Sequence, residues 1–340
     1  MKVSYEEMLT IEALKIGYKA GSGEKVVLQE LNATARKGEL IAIIGKNGSG
    51  KSTFLRTITG LQPTLAGNIF YEGKLLQGYS RMELAQKVGY ISTEIVRASN
   101  MSVYDLVALG RYPYTDWTGR INKENHILIM GAIENAGMMP LCSRYIGELS
   151  DGERQRAMIA RLLAQDTGLM VMDEPTAFLD IGSKYEILHL LHNLSRQAGK
   201  TIIFSTHDLH MAISQADKIW LLSGLNLVEG APEDLMLQGD FDHIFDSSAV
   251  WYNSDHGTFT FRSDERGSIY IEGEGILRHW TEKAVNRAGF AVSRVKTDPS
   301  VIIPAGDYRN WRLISHEITS EFRSIYELIG RLTIDYDGTI

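Results

Sequence analysis

The sequence predicts a doubly wound α/β domain followed by a small α+β domain, because the pattern of its apolar residues changes along the chain. Up to about residue 222, short unbroken apolar runs such as residues 40–45 (LIAIIG) and 169–172 (LMVM) alternate with amphipathic helical patterns. Such runs are typical of parallel strands buried on both faces, with helices covering the sheet. After about residue 255 the runs become short alternating strands, which indicates a second domain of the α+β class.

The predicted domain boundaries are 1–255 for the α/β domain and 256–340 for the C-terminal α+β domain. Within the first domain, residues from about 77 to 165 predict a mostly helical inserted subdomain, since apolar residues there recur at helical spacing. Its helical patterns cover residues 80–88, 102–110 and 123–137. In the second domain the sequence predicts strands at residues 258–262 and 268–272, a helix at 276–289 and a last helix near 320–332.

Composition argues against several classes of protein. Of 340 residues 44% are hydrophobic, so the chain can bury packed cores and is not expected to be disordered. The net charge of −7 gives no basic footprint, so we expect no nucleic-acid partner. The single cysteine, Cys142, excludes an intrachain disulfide and is expected to be buried filler. No apolar run approaches about 18 residues and residues 1–18 lack the apolar core of a signal peptide, so we expect a soluble chain that meets membranes through a partner.

A phosphate-binding loop follows the predicted strand at residues 40–45. Residues 45–52 fit the pattern Gly-x4-Gly-Lys-Ser/Thr in full, between a strand and a helix. The glycines allow backbone N–H groups to turn towards a phosphate, Lys51 reaches the β- and γ-phosphate oxygens, and the Ser52 hydroxyl ligates Mg²⁺. The predicted nucleotide-binding residues are Gly45, Lys46, Asn47, Gly48, Ser49, Gly50, Lys51, Ser52 and Thr53.

Two further predicted strands end in residues suited to hydrolysis. Asp173 and Glu174 follow the run at residues 169–172, and His207 follows the run at 201–205. Ligands of open α/β sheets bind at the carboxyl ends of strands, so Asp173 is predicted to hold Mg²⁺ through water and Glu174 to polarise the attacking water. His207 would hydrogen-bond the γ-phosphate. By themselves, an Asp-Glu pair can simply end a strand and a lone histidine is usually structural.

A second helix start looks suited to an anion. In residues 148–161 (ELSDGERQRAMIAR), Ser150 and Glu153 have the spacing of a capping box, and Gly152 allows a close backbone approach. A helix N-terminus presents free N–H groups and the positive end of its dipole to an anion. Because a phosphate loop already exists about a hundred residues earlier, the motif does not by itself say which anion it would hold.

In chain order, the phosphate loop, residues 149–153 (LSDGE), 172–176 (MDEPT), 178–180 (FLD) and 205–208 (STHD) together resemble the ATP-binding-cassette ATPases, whose fold is a P-loop NTPase domain with an inserted helical subdomain. The resemblance implies a homodimer that sandwiches two ATP molecules, with Mg²⁺, head to tail. Ser150 and Gly152 of one chain would then contact the γ-phosphate held by the other chain. Asp180 would link the two sites across the interface.

Two more site residues come from the same resemblance. The family stacks adenine on an aromatic residue near its start, a place that Tyr18 fits; the alternative is a tyrosine packed on a β-ribbon. Residues 88–94 (VGYISTE) put Thr93 where the family usually has a glutamine that ligates Mg²⁺ and senses the membrane partner. A threonine hydroxyl can ligate the metal, but its reach is shorter. The residues expected to hold metal are therefore Ser52, Asp173 and Thr93.

Residues 102–121 (SVYDLVALGRYPYTDWTGRI) resemble the segment that meets the permease in importers of iron-siderophore complexes, haem and cobalamin. This implies integral-membrane permease partners, an indirect periplasmic or lipid-anchored binding protein, and a peripheral place on the cytoplasmic face of a bacterial inner membrane. One alternative is a soluble cassette ATPase acting on ribosomes or nucleic acid, which two cassettes in one chain would favour. Another is a regulator without turnover, which would fit a missing Glu174.

The C-terminal domain is expected to regulate the ATPase or stabilise its dimer, because every residue assigned to chemistry precedes Asp208. Residues 272–275 (EGEG) lead into its first helix and could bind a small ligand, with Arg278, His279 and Arg287 as candidate contacts. The alternative is a strand-to-helix turn followed by a solvated charged face.

Overall fold

The computed structural model describes residues 6–21, 23–93, 100–115, 119–241, 250–253, 258–261, 266–303 and 310–337, and the statements below concern these residues. The chain divides into two units. The N-terminal unit comprises Met1–Asp246 and Tyr252–Phe259, and the C-terminal unit comprises Ser247–Trp251 and Thr260–Ile340. None of the described helices is long and apolar enough to cross a membrane.

The N-terminal unit alternates strands and helices over most of its length. Its strands are β1 (Glu7–Ala20), β2 (Gly23–Arg36), β3 (Leu40–Gly45), β4 (Ala66–Tyr71), β5 (Lys74–Leu75), β6 (Val88–Ile91), β7 (Leu169–Met172), β8 (Thr201–Ser205), β9 (Lys218–Ser223) and β10 (Asn226–Gly230). Its helices are α1 (Lys51–Ile58), α2 (Arg81–Ala85), α3 (Val103–Ala108), α4 (Lys123–Asn135), α5 (Asp151–Ala164), α6 (Ile181–Ala198), α7 (Leu209–Gln215) and α8 (Pro232–Gln238). Short 3₁₀ helices lie at Leu76–Gly78, Leu109–Tyr114, Met139–Leu141 and Ile146–Glu148.

The central sheet has the strand order β10-β9-β3-β8-β7-β6. Strands β9, β3, β8, β7 and β6 run parallel, and β10 pairs antiparallel to β9 at one edge. All residues of β3, β7 and β8 are buried, which confirms the prediction of unbroken apolar strands covered on both faces. Because these strands are parallel, their carboxyl ends meet at one edge of the sheet, which we call the site edge.

An antiparallel sheet with the order β2-β1-β4-β5 accompanies the central sheet. Its inward side chains pack with one face of the central sheet around Phe54 and Trp220, whose ring centroids are 5.7 Å apart. The other face of the central sheet packs against α3 to α7 in a second apolar cluster. Helix α1 thus lies between the two sheets. It ends at Ile58, and Gly60, two residues further along, has a φ of 71° that suits a glycine following a helix.

The segment between residues 77 and 165 is less uniformly helical than the sequence predicts. Strand β6 lies inside it and pairs in parallel with β7, so it belongs to the central sheet. Helix α2 is correspondingly short and ends at Ala85. Helices α3, α4 and α5 pack on one another and form the helical part of the segment. The four-residue strand was missed because its partner lies about 80 residues away, and pairing at that distance leaves no local pattern.

The C-terminal unit contains β13 (Gly267–Glu272), α9 (Gly275–Arg287), β14 (Phe290–Ser293), β15 (Ser300–Ile302), β16 (Trp311–Ser315), β17 (Ile318–Phe322) and α10 (Ile325–Asp337). Its sheet has the order β14-β13-β15-β16-β17 and its own apolar core, which confirms an α+β unit. The last predicted helix begins later than expected, because the residues before it form β17. Strands β11 (Val250–Asn253) and β12 (Thr258–Phe261) pair with each other near the boundary of the units.

Candidate functional site

The phosphate loop lies at the site edge, between β3 and α1. Gly48 and Gly50 have φ values of 81° and 99°, a backbone region that residues with a side chain rarely adopt. A Cβ on Gly50 would also come within 2.4 Å of Val27 Cγ1. The first turn of α1 contains no acidic residue, and the Ser52 side chain at its start is exposed. The loop therefore leaves the N-terminus of α1 open to an anion.

Lys51 is folded back into this loop. Its Nζ donates to the carbonyl oxygen of Gly45 over 2.9 Å, and the residue is only 6% exposed. Burial lowers the pKa of Lys51, while the negative charges of Glu174 and Asp173 act in the opposite direction. A buried ammonium whose protein partners are mainly carbonyl oxygens would gain from a phosphate, because charge-assisted contacts are the stronger ones.

Asp173 and Glu174 are joined through a serine that the sequence motifs do not include. Ser205 Oγ, at the end of β8, donates to Asp173 Oδ1 over 2.6 Å. The same oxygen accepts the backbone N–H of Glu174 over 2.9 Å. Asp173 and Ser205 are buried, and Glu174 has a positive φ of 50°. The available signal for Ser205 was its position as the polar residue that ends the apolar run at residues 202–204.

His207 lies against the carboxylate of Glu174. The distance from its Nδ1 to Glu174 Oε1 is 3.0 Å, and the His207 side chain is 57% exposed. Since β7 and β8 are neighbours in the sheet, the two residues that follow these strands are brought together as the sequence predicts. The exposed imidazole sits where a ligand at the site edge could meet it.

Tyr18 also approaches the start of α1. Its hydroxyl is hydrogen-bonded to the Thr53 hydroxyl over 2.9 Å, and the side chain is 47% exposed. The ring therefore has an open surface next to the phosphate loop. This placement suits an aromatic platform for a base, although the bond to Thr53 also anchors the tyrosine to the protein.

Thr93 lies two residues beyond the end of β6 and is exposed. Strand β6 pairs with β7, which precedes Asp173, so Thr93 belongs to the same edge of the sheet. The described hydrogen bonds include none from the Thr93 hydroxyl. Its contact with a metal stays a prediction.

The second predicted anion site lies at the start of α5. Ser150 caps this helix: its Oγ accepts from the Glu153 N–H over 3.3 Å, and Glu153 Oε2 accepts the Ser150 N–H over 2.8 Å, so the capping box is present. The pKa of Glu153 is lowered, mainly because its carboxylate accepts a hydrogen bond from the Ser150 backbone. Among the described residues, no hydrogen bond joins this helix start to the phosphate loop of the same chain.

Gly152 and Asp180 both lie close to the side chain of Ser183. A Cβ on Gly152 would come within 2.9 Å of Ser183 Oγ. That hydroxyl donates to Asp180 Oδ2 over 2.7 Å, and Asp180 caps α6 by accepting the Ser183 N–H. These hydrogen bonds lower the pKa of Asp180, with the backbone bond as the largest cause. Asp180 and Gly152 thus share one surface around the starts of α5 and α6.

The candidate contacts in the C-terminal unit do not converge on a site. Arg278 donates from Nε to Glu282 over 2.7 Å and from Nη1 to the Gly273 carbonyl oxygen over 3.1 Å. His279 packs against Trp280 with ring centroids 5.4 Å apart. Arg287 is exposed in the last turn of α9. This arrangement fits the alternative of a turn followed by a solvated charged face.

Cys142 is half-buried, and burial raises its pKa, as befits packing filler.

The site edge fits a nucleotide with a divalent cation. Ser49 Oγ in the phosphate loop is buried and has no hydrogen-bond partner among the described residues, so it is available to a ligand. The described hydrogen bonds of the Asp173 carboxylate involve Oδ1, and the Ser52 hydroxyl is exposed nearby along the chain. Hydroxyl and carboxylate oxygens are the donors that Mg²⁺ prefers. Strand, glycine-rich loop and helix together define the class of P-loop nucleotide-binding proteins.

Comparisons with known sequences place the chain within that class. Residues 28–177 match the sequence profile described as ABC transporter, and residues 266–333 match the profile described as iron ABC transporter C-terminal domain. The chain is 36% identical over 242 residues to the iron(3+)-hydroxamate import ATP-binding protein FhuC of Bacillus subtilis, which covers 71% of this chain and 88% of that protein. The chain therefore belongs to the ABC transporter ATP-binding proteins, a family of ATPases.

Other relatives support the same assignment. The ferric enterobactin transport ATP-binding protein FepC of Escherichia coli is 35% identical over 69% of this chain and 85% of its own length. An uncharacterized ABC transporter ATP-binding protein of Methanocaldococcus jannaschii is 34% identical over 80% of this chain and 95% of its own length.

Solved structures agree. A metal-chelate type ABC transporter in an inward-facing conformation has a TM-score of 0.62 at 27% identity, covering 70% of this chain and 89% of its own. The dimeric bacterial ABC transporter cassette MJ0796 has a TM-score of 0.58 at 25% identity, covering 66% of this chain and 99% of its own.

Proposed function

We propose that this chain is the ATP-hydrolysing subunit of an importer for an iron chelate, haem or cobalamin. It would act as a homodimer on the cytoplasmic face of a bacterial inner membrane, bound to permease subunits and served indirectly by a periplasmic or lipid-anchored binding protein. The proposal of ATP hydrolysis is supported by one observation, which is that four residues converge at the site edge: Lys51, Asp173, Glu174 and His207. The cargo class is supported by the names of the relatives and by the iron-type profile at residues 266–333.

In the proposed chemistry, Lys51 and the N–H groups at the start of α1 bind and orient the β- and γ-phosphates. The Ser52 hydroxyl and the Asp173 carboxylate would hold Mg²⁺, with Thr93 as a further candidate ligand. A divalent cation in such a site neutralises charge on the phosphate oxygens. Glu174 would accept a hydrogen bond from the attacking water, and His207 would contact the γ-phosphate. Tyr18 would stack on adenine.

The site would be complete only in a dimer. Ser150 and Gly152 of one chain would meet the γ-phosphate bound by the phosphate loop of the other. This is supported by the position of Ser150 and Gly152 at the start of α5 and by the close grouping of Gly152, Ser183 and Asp180 on one surface.

Uptake in the source cells tests this proposal. The gene is deleted, and the cells are supplied in turn with ⁵⁵Fe-labelled hydroxamate and catecholate siderophores, haem and labelled cobalamin. Restoring the natural gene should restore uptake of at least one of these cargoes, whereas Glu174→Gln should not. Purified natural protein should hydrolyse ATP, and Glu174→Gln should lower turnover by about 10² or more, as expected for a lost general base. Unchanged uptake of all four cargoes after deletion would overturn the importer assignment.

A further inference from the structure

We infer that Ser205 is a positioning residue that sets both the orientation of the Asp173 carboxylate and the backbone of Glu174. The inference rests on the proposed function of the site edge. It concerns a side chain that would touch neither nucleotide nor water. Ser205 would act through the two acidic residues that do.

One hydroxyl group serves both acidic residues. Ser205 Oγ has a single proton, and the carboxylate oxygen Asp173 Oδ1 at 2.6 Å can only accept it. The lone pairs of Ser205 Oγ then accept the Glu174 N–H at 2.9 Å. The directions of the two hydrogen bonds are therefore fixed by chemistry. Ser205 is fully buried and Asp173 is 3% exposed, so water has little access to replace the hydroxyl.

The backbone of Glu174 needs such a partner. The sheet ladder ends just before it, since the Asp173 N–H still donates to the Ile91 carbonyl oxygen of β6. Glu174 then turns to φ 50°, a left-handed conformation that costs free energy for a residue other than glycine. In this conformation its N–H donates to the side chain of Ser205, the last residue of β8, in place of a backbone carbonyl oxygen. Without the hydroxyl that N–H would lose its hydrogen-bond partner; leaving a fully buried donor unpaired costs about 1–3 kcal/mol, which is an upper bound for the half-buried Glu174.

Glu174 is held at two points, one by the last residue of β8 and one by a residue that follows this strand. Ser205 binds its backbone N–H, and His207 contacts its carboxylate at 3.0 Å. The first contact sets where the side chain starts, and the second sets where its carboxylate ends. Loss of Ser205 should therefore displace Glu174 even when His207 is intact. It should also free the Asp173 carboxylate to rotate away from the orientation proposed for metal binding.

A matched control exists elsewhere in the same unit. Ser195 in α6 is 2% exposed, and its hydroxyl donates to the Gly38 carbonyl oxygen over 2.7 Å. Gly38 precedes the amino end of β3, whereas the phosphate loop follows its carboxyl end. Ser195→Ala thus removes a buried hydroxyl and its hydrogen bond without touching the site edge.

The experiment compares natural protein, Ser205→Ala and Ser195→Ala. The affinity of each protein for a fluorescent ATP analogue is measured first in EDTA. Mg²⁺ is then added to find the concentration at which the tightening of nucleotide binding is half-maximal, which we call the Mg²⁺ midpoint. Finally, kcat and KM are measured for ATP. For Ser205→Ala we expect EDTA affinity within about 2-fold of natural, a Mg²⁺ midpoint raised roughly 10-fold, and kcat lowered about 10- to 100-fold with little change in KM, as for one lost bond to a charged group. Ser195→Ala should leave all four quantities near their natural values.

Several results would overturn the inference. One is a Mg²⁺ midpoint and kcat of Ser205→Ala within about 2-fold of natural, because a lost hydrogen bond to a charged group should have a larger effect. Another is an equal fall in Ser195→Ala, which would mean a general effect of losing a buried hydroxyl. A Ser205→Ala protein that does not bind nucleotide in EDTA and unfolds without a cooperative transition would make the role purely structural. Natural protein without Mg²⁺-dependent hydrolysis would instead overturn the proposed function, which keeps the two failures distinct.

Discussion

At the scale of single residues, the site depends on polar atoms placed just beyond the ends of buried strands. Asp173 follows β7, His207 follows β8 and Thr93 follows β6. Because each residue lies just beyond the end of its strand, the position of the strand determines the position of the side chain. Apolar packing of the strands thereby positions the groups proposed for catalysis. Lys51 lies at the start of α1 instead, and burial lowers its pKa.

Thr93 provides a prediction at this scale. If its hydroxyl reaches the metal only through water, Thr93→Ala should lower ATP hydrolysis modestly, by one lost water-mediated contact of up to about 1.5 kcal/mol, roughly 10-fold. Steady-state ATPase rates at saturating Mg²⁺ provide the measurement, with Glu174→Gln as the reference for loss of the general base. Turnover as low as in that reference would mean that Thr93 is a direct ligand.

Most of these residues could be predicted from the sequence, because their motifs combine a local pattern with a strand end. The phosphate loop and the capping box of Ser150 are local features, and the structure confirms their geometry. Ser205 could not be assigned a role in the same way. Its two hydrogen bonds reach residues 31 and 32 positions away, and only strand pairing brings them together.

At the scale of elements, the turn between β3 and α1 is the part with least freedom to change. Gly50→Ala should weaken binding of a fluorescent ATP analogue and lower the melting temperature, because its Cβ would come within 2.4 Å of Val27 Cγ1 and φ is 99°. Strain at a left-handed residue alone costs on the order of 1 kcal/mol.

A second glycine separates the strain from the clash. Gly73 has a φ of 76°, and a Cβ there would meet nothing within 4 Å. Gly73→Ala should therefore show the cost of the backbone conformation alone, and nucleotide binding should stay near natural. Equal behaviour of the two variants in both measurements would contradict the account of the phosphate loop as a tightly packed turn.

At this scale, a strand whose partner is distant in sequence could not be predicted from the sequence. The run at residues 88–91 is short and apolar, and nothing near it in sequence distinguishes a strand of the central sheet from the end of a helix. Its identity as β6 follows from pairing with β7. Strand β17 is a different case, because it pairs with the preceding strand β16, and only its last three residues fall within the stretch predicted as the final helix.

At the scale of the whole molecule, each unit has its own apolar core. All residues proposed for chemistry lie in the N-terminal unit. Truncation before Ser263 should therefore leave ATP binding intact and ATPase activity measurable in detergent with the permease. Dimer stability or control of the activity should change, since about 85 residues form a marginal domain that gains from packing on something else.

Nucleotide affinity and light scattering of the full and truncated chains provide the measurements. A truncated protein that is folded by circular dichroism but no longer binds nucleotide would place part of the active site in the C-terminal unit. The predicted division of functions at residue 255 would then also be wrong.

The dimeric ATP site is the central claim, and the mass of Glu174→Gln in solution tests it most directly. Size exclusion with light scattering should find this variant as a dimer in Mg²⁺ and ATP and as a monomer without nucleotide, because ATP is bound but not turned over. Adding Ser150→Arg should return it to a monomer that still binds a fluorescent ATP analogue, since the arginine would stand where the partner's γ-phosphate is expected. A Glu174→Gln protein that stays monomeric with ATP, or a double variant that stays dimeric, would contradict the claim.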